Sequence, residues 1–482
     1  MNVLFVTNFE RKFSSLAGYV PLGIMSLSGT LRRNGHHVDF CGSDPGSAAR
    51  AIRDGRPRIV AYSATTGDVS EYLALNGRLK ERFEFFSVFG GPHPTHFPEM
   101  ISSHGVDAIC RGEGEEALAE LADAMSRRED VSSIRNFWVK DGDRIHRNDV
   151  RPLSLNLDDL PCPDRELFFS RYPAVGRSPR KVFMASRGCP YRCTFCFNHK
   201  FNALYGNRDV LRRRSVDHVI GEIEEVVGRY PTQWVHFVDD TFNLDGEWLE
   251  EFTEKYPRKV KRPFFCNLRA NLVTEDSVRR LKDAGCQVVA FGLESGSERV
   301  RNGLMKRDIS RESIVKTADL LHQHGIRFLT FNIIGLPEEG PRDVRETVEL
   351  NRRCRPTYAY VSIFQPYPTT DFTQEIFGKG DAEGGRRERD YSVFPDNLHS
   401  FSVLARGERR AIANTHRLFA LLVAFPRLDA IADALVRLPL TPAYGVLRRL
   451  WAANTYRHLY RFRLSLTQIA AGARDAFLKN TV

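Results

Sequence analysis

Apolar and polar positions along the first 140 residues follow the pattern of a parallel sheet covered by helices. Each short apolar run is followed by a turn and then by a stretch of helical periodicity, such as residues 22–33. This alternation predicts an α/β domain of the doubly wound, Rossmann-like kind with five parallel strands. The runs expected to form these strands are 3–6, 38–41, 59–62, 85–89 and 108–110.

A second alternating series begins near residue 181, after a connector rich in Pro and Asp. Six apolar runs alternate with helical patterns such as 216–227 and 313–322, and therefore predict six βα units. Because a closed barrel of this kind has eight units, we expect a partial (β/α)6 barrel whose working face is the carboxyl edge of its strands. The expected strands are 181–185, 234–238, 264–268, 288–293, 328–334 and 358–364.

The alternation stops near residue 401, and the remaining chain is helical in pattern with interruptions at Pro426, Pro439 and Pro442. The sequence thus predicts four segments. They are a Rossmann-like domain over residues 1–140, a connector over 141–180, a partial barrel over 181–375 and a helical, basic C-terminal region over 376–482.

Composition places the chain among soluble globular proteins. It has 482 residues, of which 42% are hydrophobic and 27% charged, and this balance excludes collagen-like, low-complexity and wholly disordered chains. No apolar run approaches the roughly 20 residues that span a bilayer, and the N-terminus lacks the pattern of a secretory signal. Nine cysteines are too few for a disulfide scaffold. We therefore expect a cytoplasmic protein.

The formal net charge of +10 is concentrated near the C-terminus, where residues 401–482 hold 13 basic and 4 acidic residues. Aromatic and aliphatic residues are interspersed with the basic ones, as in 456–463. Two interpretations are open: a helical region that contacts a membrane surface peripherally, or a helical cap that covers the open barrel. Because the rest of the chain is nearly neutral, the net charge is weak evidence for nucleic-acid binding.

Three loops at the expected carboxyl edge of the first sheet are rich in glycine and polar residues. Ligands bind at this edge in doubly wound sheets, and glycine allows a bulky ligand to approach the backbone closely. Ordinary turn chemistry is the alternative explanation of each loop. The candidate ligand-binding residues are Thr65, Thr66, Gly67, Gly91, Pro92, His93, Gly112 and Gly114.

Cys189, Cys193 and Cys196 give the strongest local signal, because three thiols lie on one loop directly after the first strand of the second series. Three thiolates can bind three irons of a 4Fe–4S cluster and leave the fourth iron open to another ligand. A structural zinc site normally has a fourth protein ligand, for which His199 is a candidate. We favour the iron–sulfur cluster; the other six cysteines are scattered singly.

The motifs around and beyond this loop resemble those of the cobalamin-binding radical S-adenosylmethionine (SAM) enzymes. The cysteine spacing, with Phe195 before the last cysteine, is similar to the signature of that family. Later strand ends carry similar motifs in the expected order, and the upstream loops resemble its cobalamin-binding domain. These stretches are 238–242, 267–269, 292–297, 334–338 and 366–368 in the barrel, and 65–68, 90–95 and 111–118 in the first domain.

The resemblance implies a set of residues that bind SAM on the open iron. The two aspartates would accept hydrogen bonds from its ammonium group, the arginine would bind its carboxylate, and the glutamate would meet the ribose. Each has a structural alternative, because strand-end Asp residues often cap helices and Arg residues often form surface ion pairs. The residues assigned in this way are Phe195, Asp239, Asp240, Arg269, Glu294, Ser295 and Gly335.

For the first domain, the resemblance implies that the candidate loop residues bind cobalamin. The widely known Asp-x-His-x-x-Gly stretch, which gives cobalt a histidine ligand, does not occur in the sequence. We therefore expect cobalamin to bind without histidine coordination, as suits a methyl carrier whose electronics depend on the axial ligand.

The activity that the resemblance implies is a cobalamin-dependent methyl transfer to an unactivated carbon of a small molecule through a 5′-deoxyadenosyl radical. A non-methylating rearrangement or oxidative cyclisation with the same cofactors is the alternative. A cobalamin-binding regulator would lack intact SAM motifs, and RNA modification would need an RNA-binding module that we do not recognise. The expected partners are a small, in the membrane interpretation lipid-like, substrate and an electron donor such as flavodoxin or ferredoxin. The sequence identifies no catalytic residue.

Overall fold

The computed structural model describes residues 1–9, 20–208, 210–367, 369–375 and 406–461, and the structural statements below concern these residues. They form two largely parallel sheets with their helices and a helical C-terminal region. The α/β architecture predicted from the sequence is confirmed.

Seven strands form the first sheet: β1 (Asn2–Thr7), β2 (His37–Gly42), β3 (Ile59–Ser63), β4 (Phe86–Gly90), β5 (Ala108–Cys110), β6 (Phe137–Asp141) and β7 (Arg144–Arg147). Their order is β2-β1-β3-β4-β5-β6-β7. The first five pair in parallel, as predicted, and β6 and β7 add an antiparallel hairpin. The strand order reverses between β1 and β3, which is where doubly wound sheets bind ligands.

Helices cover both faces of this sheet: α1 (Leu22–Arg33), α2 (Pro45–Gly55), α3 (Val69–Lys80), α4 (Pro92–His96) and α5 (Glu115–Arg127). Successive strand residues point to opposite faces of the sheet, so each strand contributes side chains to the hydrophobic core on either face. Phe5 and Ala61 lie in the core with α1 and α5, whereas Val6 and Tyr62 lie in the core with α2 and α3.

The first sheet continues past the domain boundary expected at residue 140, because the β6–β7 hairpin belongs to it. The strand β7 is short and largely exposed, so its residue pattern carries little strand signal. The rest of the expected connector contains two short helices, α6 (Glu166–Phe169) and α7 (Pro173–Gly176). Phe168 stacks on Phe40 of β2 with ring centroids 4.1 Å apart, so the connector packs against the first domain.

Six parallel strands form the second sheet: β8 (Arg180–Phe183), β11 (Trp234–Phe237), β12 (Phe264–Leu268), β13 (Cys286–Glu294), β14 (Arg327–Ile334) and β15 (Tyr358–Ile363). They pair in chain order from β8 to β15, which confirms the open partial barrel. A two-stranded antiparallel ribbon, β9 (Ser186–Arg187) and β10 (Arg212–Arg213), flanks the loop that carries the three cysteines.

Helices of this barrel are α8 (Asn198–Leu204), α9 (Val216–Arg229), α10 (Gly246–Lys259), α11 (Glu275–Asp283), α12 (Arg311–Gln323) and α13 (Pro341–Cys354). Four of them begin after a polar residue whose side chain accepts an amide hydrogen bond from the first turn, which fixes their start. These capping residues are Ser215, Asp245, Thr274 and Ser310.

The C-terminal region consists of α14 (Arg406–Ala424), α15 (Asp429–Leu435) and α16 (Thr441–Tyr460). The end of α16 packs against the inner face of the barrel sheet, opposite its helix layer. The Tyr460 ring lies 5.2 Å from the Trp234 ring, and the Arg180 guanidinium lies 5.3 Å from the Tyr460 ring centre. The cap interpretation is thus confirmed for residues 406–461, whereas 376–405 and 462–482 lie outside the described residues. No helix in the described ranges is long and apolar enough to cross a membrane.

Candidate active site

The three cysteines of the predicted cluster loop are free thiols between β9 and α8. Cys193 is buried, and Cys189 and Cys196 are half-buried. Burial raises the pKa of the Cys196 thiol to about 12 and also raises the pKa of Cys189. Iron would provide the positive charge that this loop needs to hold thiolates, because a coordinating thiol is deprotonated.

Hydrogen bonds hold the cluster loop at its first cysteine and in its middle. The Asn202 side chain on α8 donates to the Cys189 carbonyl at 2.8 Å. In the middle of the loop, the Thr194 amide donates to the Met305 carbonyl at 3.1 Å, and its hydroxyl donates to the Leu304 carbonyl at 2.8 Å. The loop is therefore positioned by its own helix and by the turn that follows β13.

The zinc alternative gains no support from His199, whose Nε2 lies 3.0 Å from an Asp371 carboxylate oxygen. In the described part of the chain, no three His, Cys, Asp or Glu side chains converge as the ligands of one metal ion do. Three soft thiolates from one loop, each meeting a different iron, suit a 4Fe–4S cluster with an open position. The donor set therefore fits the cluster.

Asp239 and Asp240 follow β11 at the carboxyl edge of the barrel. Asp239 is only 1% exposed, and its carboxylate accepts hydrogen bonds from the Ala185 amide and the Ser186 hydroxyl. It therefore ties β11 to the start of the cluster loop. Asp240 is exposed at the same edge. Contacts of both residues with SAM remain predictions.

Arg269 lies over the cluster loop, as expected for a group that meets a ligand of the open iron. Its guanidinium sits 3.3 Å from the ring centre of Tyr191, which lies between the first two cysteines. It also donates to the Arg307 carbonyl, which orients its planar fork. The position suits a SAM carboxylate, and this contact remains a prediction.

Glu294 closes β13 in a strained backbone conformation. Its φ of 63° lies in the left-handed region, and the pairing of β13 with β14 shifts register between Gly292 and Glu294. Burial raises the pKa of this carboxyl, although the Arg307 guanidinium 3.4 Å away opposes that shift. A strained non-glycine residue at a strand end commonly marks a functional position. The neighbouring Ser295 is fully buried, with its hydroxyl 3.3 Å from that of Thr347 on α13.

Gly335 and Phe195 shape the apolar side of the same edge. Gly335 has a φ of 78°, and a Cβ there would stand 3.2 Å from the Ile412 side chain of α14. Its amide donates to the Glu339 carboxylate at 2.5 Å. Phe195 packs on a buried apolar cluster that includes Leu336. Their predicted contacts with SAM are compatible with these positions and remain predictions.

Four of the eight predicted cobalamin residues line a cavity at the carboxyl edge of the first sheet, whereas Thr65, Thr66, Gly67 and His93 do not line it. A cavity of about 280 Å³ opens there between the sheet, helices α1 and α5, and two barrel residues, Met184 and Arg187. Several glycines in the wall of this concave site allow a ligand to approach the backbone closely. The predicted residues in its lining are Gly91, Pro92, Gly112 and Gly114.

His93 is completely buried and does not lie on the surface of its loop. Its ring stacks on Phe97 with centroids 4.8 Å apart, and its Nδ1 lies 3.3 Å from the Thr66 hydroxyl. Burial lowers the pKa of His93 to about 3, so the ring is neutral at physiological pH. This packing is consistent with cobalamin binding without a histidine ligand, which remains a prediction.

Two of the predicted glycines are needed for packing between protein segments. Gly91 has a φ of 95°, and a Cβ there would stand 3.1 Å from the Ala64 carbonyl. A Cβ on Gly112 would fall 1.9 Å from the hydroxyl oxygen of Tyr205, which follows α8. Tyr205 thus brings the barrel onto the carboxyl edge of the first sheet.

Sequence reasoning missed Arg307, Tyr205 and the ion pairs that Arg187 makes with the first domain. Arg307 approaches the Cys193 sulfur at 4.0 Å and donates to the Gly292 carbonyl at 2.8 Å. Such contacts join residues far apart in the chain, and a single sequence carries no local signal for them. The acidic character of 113–116 is the one hint that this loop meets basic residues.

Two family models match the chain: the radical SAM superfamily over residues 184–350 and the B12 binding domain over residues 15–122. An uncharacterized methyltransferase of Pyrococcus horikoshii is 32% identical over 364 residues, which are 73% of this chain and 77% of that protein. The chain belongs to the cobalamin-binding radical SAM family. The cofactors of this radical SAM enzyme are accordingly a 4Fe–4S cluster, SAM and cobalamin.

Other relatives of this radical SAM enzyme carry two kinds of names. The anaerobic magnesium-protoporphyrin IX monomethyl ester cyclase of Rubrivivax gelatinosus is 25% identical, over 79% of this chain and 70% of that protein. The hopanoid C-3 methylase of Methylococcus capsulatus is 24% identical, over 73% of this chain and 67% of that protein.

Two solved structures share the fold. The methyltransferase TsrM of Kitasatospora setae, with cobalamin and a 4Fe–4S cluster bound, superposes with a TM-score of 0.64 at 18% identity, over 78% of this chain and 77% of that one. The cobalamin-dependent enzyme OxsB, with aqua-cobalamin and SAM bound, superposes with a TM-score of 0.64 at 15% identity, over 99% of this chain and 75% of that one. At these identities the likeness establishes the fold alone.

Proposed function

We propose that this enzyme transfers a methyl group from methylcobalamin to an unactivated carbon of a small molecule by way of a 5′-deoxyadenosyl radical. The observation that supports the proposal most directly is the meeting of the two cofactor edges. Arg187, two residues before Cys189, contacts Glu113 and Glu115 at the carboxyl edge of the first sheet. We call this edge, where cobalamin is proposed to bind, the cobalamin edge. When bound, the cluster with SAM supplies the radical and cobalamin supplies the methyl group.

The protein's own side chains would bind the cluster, orient SAM and shield the radical from water. Cys189, Cys193 and Cys196 would hold three irons, and Arg269 would orient the SAM carboxylate through its planar fork. Glu294, held by Arg307, would accept from the ribose hydroxyls. The buried apolar side chains beneath Phe195 would keep water away from a primary radical.

The test is an anaerobic reconstitution with iron, sulfide and hydroxocobalamin, followed by incubation with extract metabolites and SAM deuterated in its methyl group. We expect a product that carries three deuterium atoms. A product that lacks deuterium and has lost hydrogen would favour oxidative cyclisation; the relative from Rubrivivax gelatinosus is named a cyclase. The electron for the cluster is proposed to come from a small donor protein such as flavodoxin or ferredoxin.

We further propose that the enzyme works at the surface of an anionic membrane, on a lipid-like substrate. The C-terminal region exposes a group of large apolar side chains, and only two other such side chains in the described ranges, Leu155 and Val238, are exposed. Exposed apolar side chains concentrated on one region mark an interaction surface. We call this group the apolar face; its members are Phe425, Ile431, Leu438, Leu440, Val446, Leu447, Leu450 and Tyr456.

Charges around the apolar face match an anionic partner. Two acidic residues of this region are paired with the barrel: Asp429 lies 2.7 Å from an Arg352 nitrogen, and Asp433 lies 3.3 Å from one of Arg345. Exposed arginines are therefore left as the dominant charges of this region; they include Arg427, Arg437 and Arg457. Each basic residue near an anionic leaflet contributes about 1 kcal/mol.

Vesicle flotation at low salt tests the membrane proposal. The protein should float with anionic vesicles and not with neutral ones, and the double substitution Leu447→Glu with Leu450→Glu should weaken flotation at least about tenfold. Leu155→Glu, which changes a side chain that is 64% exposed in the connector, is the matched control and should float normally. If the protein ignores anionic vesicles, or sediments as a dimer that the double substitution dissociates, the membrane proposal is wrong.

A further inference from the structure

Four charged side chains join the cobalamin edge to the start of the cluster loop. Arg187 donates to Glu115 at 2.6 Å and lies 3.2 Å from Glu113. Arg212, which pairs with Arg187 across the β9–β10 ribbon, contacts both oxygens of Glu113 at 2.6 and 2.9 Å. We call Glu113, Glu115, Arg187 and Arg212 the inter-loop clamp.

The clamp is shielded from water. The Arg212 side chain is 3% exposed and that of Glu115 is 9% exposed. The side chains of Arg187 and Glu113 are 18% and 19% exposed. A bidentate arginine–carboxylate pair fixes orientation as well as distance. Removing one partner of such a buried pair leaves a charge without compensation, so the pairs hold the two loops in one arrangement.

A fifth side chain, that of Tyr205, brings the far end of the cluster loop to the same place. Tyr205 follows α8, the helix that begins two residues after Cys196. Its hydroxyl accepts the Glu113 amide at 3.1 Å and fills the space above Gly112. Both ends of the cluster loop therefore hold the single loop between β5 and α5.

We propose that the inter-loop clamp makes cluster loading and cobalamin binding cooperative. The inference rests on the proposed placement of the two cofactors. A loaded cluster fixes the loop that carries Arg187 and leads to Tyr205, and these residues fix Glu113 in turn. The cobalamin edge is then ordered before cobalamin arrives, so binding has less conformational entropy to overcome. Because coupling between sites is reciprocal, bound cobalamin strengthens cluster retention by the same factor.

The test compares the hydroxocobalamin affinity of the full chain with and without its reconstituted cluster, measured by absorbance titration under anaerobic conditions. Cluster loading should tighten cobalamin binding at least about fivefold, the lower end of typical coupling. Glu113→Gln and Arg212→Gln should bring the ratio of the two affinities close to one while both cofactors still bind. Arg212→Lys, which keeps the charge but loses the bidentate geometry, should retain an intermediate ratio.

Glu222→Gln is the matched control, because Glu222 is a buried carboxylate between Arg165 of the connector and Arg214 of the barrel and makes no ion pair with the loop between β5 and α5. This variant should keep the full ratio even if it is less stable. Equal affinities in the parent protein, or an unchanged ratio in both clamp variants, would overturn the proposal. Loss of cobalamin binding with and without the cluster would also overturn it, by showing a direct contact with the corrin. None of these measurements requires turnover, so failure of the methyl-transfer proposal would be seen separately.

Discussion

Single residues decide which parts of this enzyme can be recognised in its sequence. The three cysteines of the cluster loop were found because their function needs one residue type at a fixed local spacing. Arg307 was missed because its role depends on contacts with Glu294 and Cys193, which precede it along the chain and come together only in the fold. Sequence patterns thus predict residues that act by local spacing better than residues that act by tertiary contact.

Cys193→Ala should abolish 5′-deoxyadenosine formation and lower the bound iron, because two thiolates are too few to anchor the cluster. Both quantities are measured after anaerobic reconstitution, by chromatography and by an iron assay. Cys266→Ala is the control, since Cys266 is buried in the barrel core and should leave iron content unchanged. SAM cleavage that persists in Cys193→Ala would contradict the assignment.

Glu339 should make the enzyme less stable as pH rises. Burial raises the pKa of this carboxyl to about 8 in the folded protein, against an ordinary value of 4.5, although amide hydrogen bonds from Gly335 and Leu336 oppose the shift. The folded state therefore binds the proton more tightly, and stability falls between about pH 4.5 and pH 8. Thermal midpoints measured across this range should fall less steeply for Glu339→Gln than for the parent protein. Parallel curves would show that Glu339 titrates normally.

At the scale of elements, hydrophobic periodicity predicted the strands well because both sheets are largely buried. It placed the strand runs of both series close to their observed positions, including the edge strand β15. It failed at the β6–β7 hairpin, where short strands face solvent and extend the first domain past residue 140. It also could not foresee that Gly112 accommodates Tyr205, because the two residues belong to different domains.

Gly91→Trp should remove bound corrinoid and spare the cluster. The φ of 95° at this position strains any side chain, and a Cβ there would already stand 3.1–3.3 Å from atoms of Ser63 and Ala64 at the end of β3. Corrinoid absorbance and iron content are measured on the same sample. Gly55→Trp, at a glycine that has nothing within 4 Å of its Cβ position, should keep both cofactors. Equal corrinoid in Gly91→Trp and the parent would place cobalamin elsewhere.

At the scale of the whole molecule, the C-terminal helices combine two roles that the sequence left as alternatives. One side of α16 closes the inner face of the barrel, and its outer side contributes to the apolar face. The composition of the region could not separate these roles, because both require apolar residues at helical spacing. Only the packed structure shows which residues serve the barrel.

Tyr460→Ala should destabilise the barrel by about 3–5 kcal/mol, the usual cost of removing a buried aromatic ring. The Tyr460 ring is 2% exposed and contacts Trp234. Urea unfolding followed by tryptophan fluorescence measures the change. Tyr456→Ala, one turn earlier and 38% exposed, should cost less than about 1 kcal/mol. Similar losses in the two variants would mean that α16 does not seal the barrel.

At the same scale, the proposed reaction uses two molecules of SAM in one enzyme: one supplies the methyl group to cobalamin, and the other is cleaved to the radical. The most direct test is to quantify S-adenosylhomocysteine, 5′-deoxyadenosine and methylated product in a single reaction of the reconstituted enzyme. We predict equal amounts of all three, and we predict that omission of cobalamin abolishes S-adenosylhomocysteine and methylated product while cleavage to 5′-deoxyadenosine continues. Formation of 5′-deoxyadenosine alone with an unmethylated product, at full cobalamin occupancy, would contradict the account.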